Sequence, residues 1–285
     1  MQVWSPPAKT RGRDVVAANT EPDQKADSAG GRLTVSRSGD IATITIDHAG
    51  KRNALTAAMW AQFAPVLAEL ADDPGVTVLV VRGAGADFSA GADIGDLDAI
   101  LTGESDGGVM TEAEDALAAF PKPTIAAIDG HCVGGGWELA GACDLRICSD
   151  RSTFGVTPSR LGIVYPRSGI ERLVAIAGPA VAKHLLFSGE LVSPQTAAAW
   201  GLVTKVLPAE GFWDAVGAFA SLIVSRSQFS IRATKEIVDA VAAGGDGVAE
   251  AVARWLATPS GDRAIGVAAF LGKRPPEFTW GSGTP

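Results

Sequence analysis

Apolar residues at Met59, Trp60, Phe63, Val66, Leu67 and Leu70 recur at steps of three and four, which predicts an amphipathic helix. Thr56 stands where its N-cap belongs, and the run Asp72, Asp73, Pro74 and Gly75 ends it. Upstream, residues 33–35 and 41–46 flank the polar triplet Ser38, Gly39 and Asp40, the pattern of two strands joined by a tight turn. Residues 76–81 and 124–128 are apolar without alternation, as in strands covered on both faces. A further strand is expected over 145–148, and helices over 94–101, 111–120 and from about Trp137. Strand, turn and helix thus alternate, which favours an α/β layered fold.

From about Ser193 the pattern turns helical. Ser193 and Pro194 supply an N-cap and a first-turn proline for 193–200, with Gly201 just past the end. Stretches 212–225, 227–243, 248–257 and 264–271 continue the helical pattern. The expected organisation is a tail over 1–31, an α/β core over 32–192, and a helical region over 193–285 serving as lid or oligomer interface. The tail is rich in Pro, Asp, Ala, Thr and Gly without a period. Asp14, Glu21 and Asp23 follow Lys9, Arg11 and Arg13 closely, which reads as disorder rather than a targeting signal.

Composition narrows the partners. Of 285 residues 47% are hydrophobic and 20% charged, ordinary for a globular protein. The net charge of -8 argues against a nucleic-acid partner, which needs a basic face. No apolar run reaches the roughly 18 residues of a membrane span. Cys132, Cys143 and Cys148 are odd in number and fit no ligand spacing, and His48, His131 and His184 lie far apart. No metal is expected, and reduced thiols suit a cytoplasmic protein.

Two turns carry the candidate chemistry: Phe88-Ser-Ala-Gly-Ala-Asp-Ile94, and Asp129 through Gly134, Gly135 and Gly136 to Leu139. Each places small residues after a buried strand and before a helix. Glycines there let the backbone approach a ligand with its N–H groups outward, and a helix start adds unpaired donors and a positive dipole end. Side by side, such turns would stabilise one oxygen carrying developing negative charge. Close helix–sheet packing is the alternative use of the same glycines. Glu138 would lie in the first helical turn beside them, as an acid or base, or merely balancing the dipole. Burial would raise its pKa and the dipole would lower it. Trp137 either lines a pocket or packs on the core, and Asp144 reads as a strand anchor. His131 and Cys132 point to opposite faces of a strand end and form no nucleophile pair. No Gly-x-Ser-x-Gly elbow marks a serine hydrolase.

Taken together, the motifs resemble the crotonase (enoyl-CoA hydratase/isomerase) superfamily. They run in that family's order: Lys51-Arg-Asn-Ala-Leu55, Arg82 and Gly83 leading to Phe88 through Asp93, Pro121-Lys-Pro123, Gly130 through Leu139, and Cys143-Asp-Leu-Arg146. Phe154-Gly155, Leu161-Gly162, Gly201-Leu-Val203 and Lys273-Arg-Pro275 follow, so the likeness covers about residues 32–280. It implies a spiral of ββα units with a helical C-terminal trimerisation region, assembled as a homotrimer or dimer of trimers. It implies an acyl-CoA substrate and no cofactor beyond the coenzyme A that the substrate carries. The oxyanion hole falls on the N–H groups of Ala92 and Gly135, beside Gly134, and the proton-moving role on Glu138. Coenzyme A would run along the backbone near Arg52, Ala54, Ala90, Asp93 and Ile94. Phe270 and Lys273, from a neighbouring subunit, would close over its nucleotide end.

One departure bears on the reaction. Pro158 stands where hydratases of the family carry a second glutamate; Ser159 is a weak substitute, Arg160 is no base, and Glu171 lies too far along. The segment from Thr157 and Pro158 to Tyr165 is similar to the methylmalonyl-CoA decarboxylase branch, where the matching tyrosine orients a carboxylate. However, Ala92 stands where that branch has a histidine. Trp137, Pro158 and Tyr165 are the candidate walls of the acyl pocket. The expected activity is addition of water to an enoyl-CoA or a shift of its double bond. A decarboxylase and a non-catalytic acyl-CoA-binding homologue are the alternatives.

Overall fold

Strands β1 (Arg32–Ser38) and β2 (Ile41–Asp47) pair antiparallel about the expected turn at Gly39. The computed structural model describes residues 30–102 and 106–281, so all but the last two residues of the expected tail over 1–31 lie outside the described residues. After β2 come α1 (Ala57–Asp72), β3 (Val78–Gly83), a 3-10 turn at Ile94–Asp96, α2 (Leu97–Leu101) and α3 (Gly108–Ala118). The middle of the chain holds β4 (Thr124–Ile128), β5 (His131–Val133), α4 (Gly135–Ala142), β6 (Leu145–Ser149) and β7 (Thr153–Gly155). Then follow α5 (Pro158–Leu161), α6 (Arg167–Ser188), α7 (Pro194–Ala199) and β8 (Lys205–Leu207). The last helices are α8 (Phe212–Val224), α9 (Gln228–Ala242), α10 (Val248–Ala257) and α11 (Asp262–Leu271).

Six strands form one sheet in the order β1-β2-β3-β4-β6-β8, parallel from β2 onward, while β5 and β7 form a separate parallel pair. The unbroken apolar runs are explained by cover on both faces. Leu79, Val81, Ala126 and Ile128 join the main core with Met59, Trp60 and Phe63 of α1. Val78, Val80, Ile125 and Ala127 pack on the other side against Phe212, Val216 and Ala220 of α8. Thr56 caps α1 as expected, its hydroxyl accepting from the Met59 N–H at 3.3 Å.

Several boundaries differ from the sequence reading, each for a local reason. The helix expected over 94–101 divides into a 3-10 turn and α2 because the Asp93 carboxylate caps the Gly95 N–H first. Helix α4 begins at Gly135 rather than Trp137, so the glycines belong to its first turn. Helix α6 was not anticipated: Gly178, at φ 78, and Pro179 interrupt its period. Strand β8 lies past Ser193 yet pairs with β6, so the main sheet spans the expected boundary at 192/193. No helix among the described residues is long and apolar enough to cross a membrane.

Candidate active site

The first glycine turn is stitched to its neighbours on both sides. Ser89 bridges Cys132: the Ser89 N–H donates to the His131 carbonyl at 2.8 Å, and the Val133 N–H to the Ser89 carbonyl at 3.0 Å. On the other side the Leu55 N–H donates to the Gly91 carbonyl, and the Asp93 N–H to the Leu55 carbonyl, each at 2.8 Å. A parallel bridge of that form turns the N–H of the residue between, Ala92, to the opposite side. There it meets the start of α4, where a Cβ added to Gly135 would lie 3.3 Å from the Ala92 nitrogen. Gly135 is the first residue of α4, so its own N–H has no acceptor within the helix. Gly134, at φ 54, makes the bend that brings the two amides together.

Two polar side chains that the sequence did not flag hold this arrangement. The buried Ser89 hydroxyl donates to the Asn53 carbonyl at 2.8 Å and accepts from the Gly91 N–H at 3.0 Å. The Asn53 amide donates to the Ala84 and Asp87 carbonyls at 2.9 and 2.6 Å.

Glu138 lies in the first turn of α4, 1% exposed, and neither carboxyl oxygen has a hydrogen-bond partner among the described residues. Gly169 of α6 lies against it, and a Cβ there would overlap the carboxyl. Burial holds Glu138 well above the ordinary carboxylate range, and the neighbouring Glu114 adds to the rise. The Tyr165 hydroxyl donates to the Gly134 carbonyl at 3.3 Å, and burial, followed by the nearby carboxylates, keeps it protonated.

A cavity of about 100 Å³ opens between the turns and the α5–α6 connection. Its walls gather eight of the expected residues: Ala90, Ala92, Ile94, Gly134, Gly135, Glu138, Pro158 and Tyr165. Leu97, Leu101, Met110, Leu161 and Ile163 add apolar wall, and Gly91, Thr157 and Pro166 complete it. Ser159 and Arg160 are exposed and turn away from it, and Glu171 pairs with Arg167 at the surface.

The other expected residues lie outside that wall. Arg52 is exposed, at φ 48, with its guanidinium 3.3 Å from His131 Nε2. Its carbonyl accepts from the Ala90 N–H at 2.9 Å, so its backbone runs alongside the first turn. The Ala54 carbonyl is 2.6 Å from His48 Nδ1, and Asp93 pairs with Lys51 at 2.7 Å. Of the two readings of Trp137, the structure has the core one: it is 2% exposed within the hydrophobic core and off the cavity wall, about 100° around the helix from Glu138. Phe270 is 83% exposed on α11 and Lys273 follows just past it, neither reaching the cavity within one chain. His131 pairs with Asp87 at 2.7 Å while Cys132 is fully buried, so the two face apart. Asp144 accepts from the Thr124 N–H at 2.8 Å and pairs with Lys235 at 2.5 Å, tying β4 to α9.

Sequence reasoning passed over Glu114. It is fully buried on α3, with Oε2 2.5 Å from Nη1 of Arg172. Its signal was present: Met110, Ala113, Glu114 and Leu117 form the buried stripe of α3, with an acid at a core position.

Known proteins share this architecture. The family model for enoyl-CoA hydratase/isomerase matches residues 36–281. The 2,3-dehydroadipyl-CoA hydratase of Escherichia coli is 31% identical over 249 residues, covering 86% of this chain and 98% of that protein. The crotonyl-CoA hydratase of Syntrophomonas wolfei is 32% identical over 250 residues, covering 84% and 94% respectively. A crystal structure of an enoyl-CoA hydratase/isomerase family member superposes with a TM-score of 0.84 at 40% identity, covering 90% of this chain and 99% of that one. Likeness of this extent in both sequence and fold leaves one assignment: the chain is an enzyme that belongs to the enoyl-CoA hydratase/isomerase family and has its crotonase fold.

Proposed function

We propose that the protein binds an enoyl-CoA with its thioester oxygen on the N–H groups of Ala92 and Gly135, and that Glu138 shifts the double bond. The observation that carries this reading is that Glu138 is the one carboxyl on the cavity wall among the described residues. Hydration benefits from one group to activate water and another to protonate Cα. Pro158 offers neither, and Tyr165 stays protonated. Isomerisation needs a single base. The Glu138 carboxylate takes a proton from Cα, and the C–H electron pair moves into the thioester to give an enolate whose oxygen rests on the two amides. Glu138 then returns the proton to Cγ, the double bond forms between Cα and Cβ, and the carboxylate is regenerated.

Coenzyme A would lie along Arg52, Ala54, Ala90, Asp93 and Ile94. A homotrimer or dimer of trimers would let Phe270 and Lys273 close a neighbouring subunit's nucleotide site. Exposed Leu256, Phe270 and Leu271 on the C-terminal helices support such an assembly. Tyr165 on the wall favours the decarboxylase alternative, although a substrate carboxylate would then have to sit beside Glu138.

The test presents 3-enoyl-CoA, 2-enoyl-CoA and methylmalonyl-CoA to the purified protein. Interconversion of the enoyl isomers is expected to dominate, and Glu138→Gln to lower its kcat by about 10²–10⁴-fold. Faster hydration or decarboxylation would overturn the isomerase reading, and undiminished turnover in Glu138→Gln would overturn the choice of base.

A further inference from the structure

Glu138 does not stand alone behind the cavity wall. Helix α6 touches two buried carboxyls with consecutive residues. Gly169 packs against the Glu138 carboxyl, and the Ser168 hydroxyl donates to Glu114 Oε2 at 3.4 Å. Arg172, one turn further on, donates to the same Glu114 oxygen at 2.5 Å and also pairs with Asp115. One oxygen of Glu114 is thus fully engaged on its cationic side. The other oxygen, Oε1, is buried without a partner among the described residues, as are both oxygens of Glu138.

Three unpartnered carboxyl oxygens in one buried space are costly if both groups are ionised. A single proton held between the two groups relieves that cost, because one then donates and the other accepts. We propose that Glu114 is the proton partner of Glu138: the two carboxyls share one proton, with Arg172 and Ser168 anchoring the far side of Glu114. Glu114 does not border the acyl cavity, so it acts through Glu138 as a positioning residue.

The charged and titratable groups facing the pair are few. Arg172 and Asp115 face Glu114, while Tyr165, Glu114 and Arg172 face Glu138. Burial raises both carboxyls. Each raises or lowers the other through their contact, as expected of two groups that titrate as a pair. Thr111, Ser168 and Arg172 also border a polar, solvent-open cavity of about 280 Å³ behind Glu114.

The inference deepens the proposed proton transfer and rests on it for its catalytic meaning, but its test does not require turnover. Infrared titration of the full chain reads the C=O band of a buried, protonated carboxyl. The band is expected at neutral pH in the wild type and weakened in Glu138→Gln, where Glu114 alone remains to carry it. In Glu114→Gln it is expected to titrate at least about one pH unit lower, because a negative neighbour is gone. In Arg172→Met it is expected to titrate higher, because a cation is gone. Opposite shifts from two changes at one cluster are not what structural damage produces. If the enzyme isomerises enoyl-CoA, the limb of kcat against pH moves the same way in each variant while KM stays put. A band that titrates at the same pH in wild type, Glu114→Gln and Arg172→Met overturns the shared proton, whatever the activity. A band that shifts as expected in a protein without isomerase activity overturns only the reaction.

Discussion

Gly135 carries a hydrogen where any other residue would carry a side chain into the site. A Cβ there would lie 2.8 Å from Trp60 Cζ2 and 3.3 Å from the Ala92 nitrogen, beside the amide proposed to hold the thioester oxygen. Its backbone is helical, so alanine brings no torsional penalty, only the clash. Gly135→Ala should lower kcat/KM by about 10²–10³-fold, the usual effect of spoiling one oxyanion contact. Overpacking against Trp60 should cost about 1–3 kcal/mol of stability. Steady-state kinetics with thermal unfolding checks both, and unchanged kcat/KM would place the oxygen elsewhere. The two glycine turns and the first-turn position of Glu138 were legible in the sequence because glycine runs and a first-turn acid have local causes, whereas Ala92 and Gly135 were singled out within them only by the family resemblance. Ser89, Asn53 and Gly169 were not legible, because their partners are distant in the chain, such as the Asn53 carbonyl for Ser89. Glu114 falls between: its buried stripe could be read locally, but its pairing with Arg172 could not.

At the scale of elements, the buried strands β3 and β4 followed from unbroken apolar runs, and α1 from its period and cap. What escaped were elements whose stability comes from tertiary contacts rather than local pattern. Helix α6 is broken at Gly178 and buries only Leu173 and Leu185 among large side chains, while β8 is three residues held by β6. Asp144 shows how such parts are tied in. Its carboxylate accepts from the Thr124 N–H at the start of β4 and holds Lys235 of α9, a side chain only 11% exposed. Asp144→Ala leaves a nearly buried ammonium and a strand-end N–H without their acceptor. The expected loss is about 1–3 kcal/mol, a fall of roughly 2–4 °C in Tm per kcal/mol for a chain of this size. Calorimetry checks it, and because Asp144 lies off the cavity wall the KM for enoyl-CoA should not move.

Over the whole molecule, the buried carboxyl pair should leave a mark on how stability depends on pH. Glu114 and Glu138 are both raised, chiefly by burial, so the native state keeps protons that the unfolded chain has already released. Between the unfolded carboxylate pKa and the folded values, the native state binds more protons, and stability falls as pH rises. Their contribution is therefore full below about pH 4 and is lost progressively as pH climbs through the folded pKa values. Asp73, Asp87, Asp93 and Asp129 have lowered pKa values and act in the opposite sense at the acid end, losing their stabilisation as pH falls. Comparing the wild type with Glu138→Gln cancels those carboxylates, which both proteins share. The stability advantage of Glu138→Gln should be small at about pH 5 and grow toward about pH 8, where the wild type must ionise or strain its buried pair. Denaturant titrations at one fixed protein concentration would show this without interference from self-association. An advantage that stays constant across that range would mean that Glu138 ionises as easily in the folded protein as in the unfolded chain. It would then have water or a cation beside it, and a base with an ordinary pKa would have to perform the proton transfer.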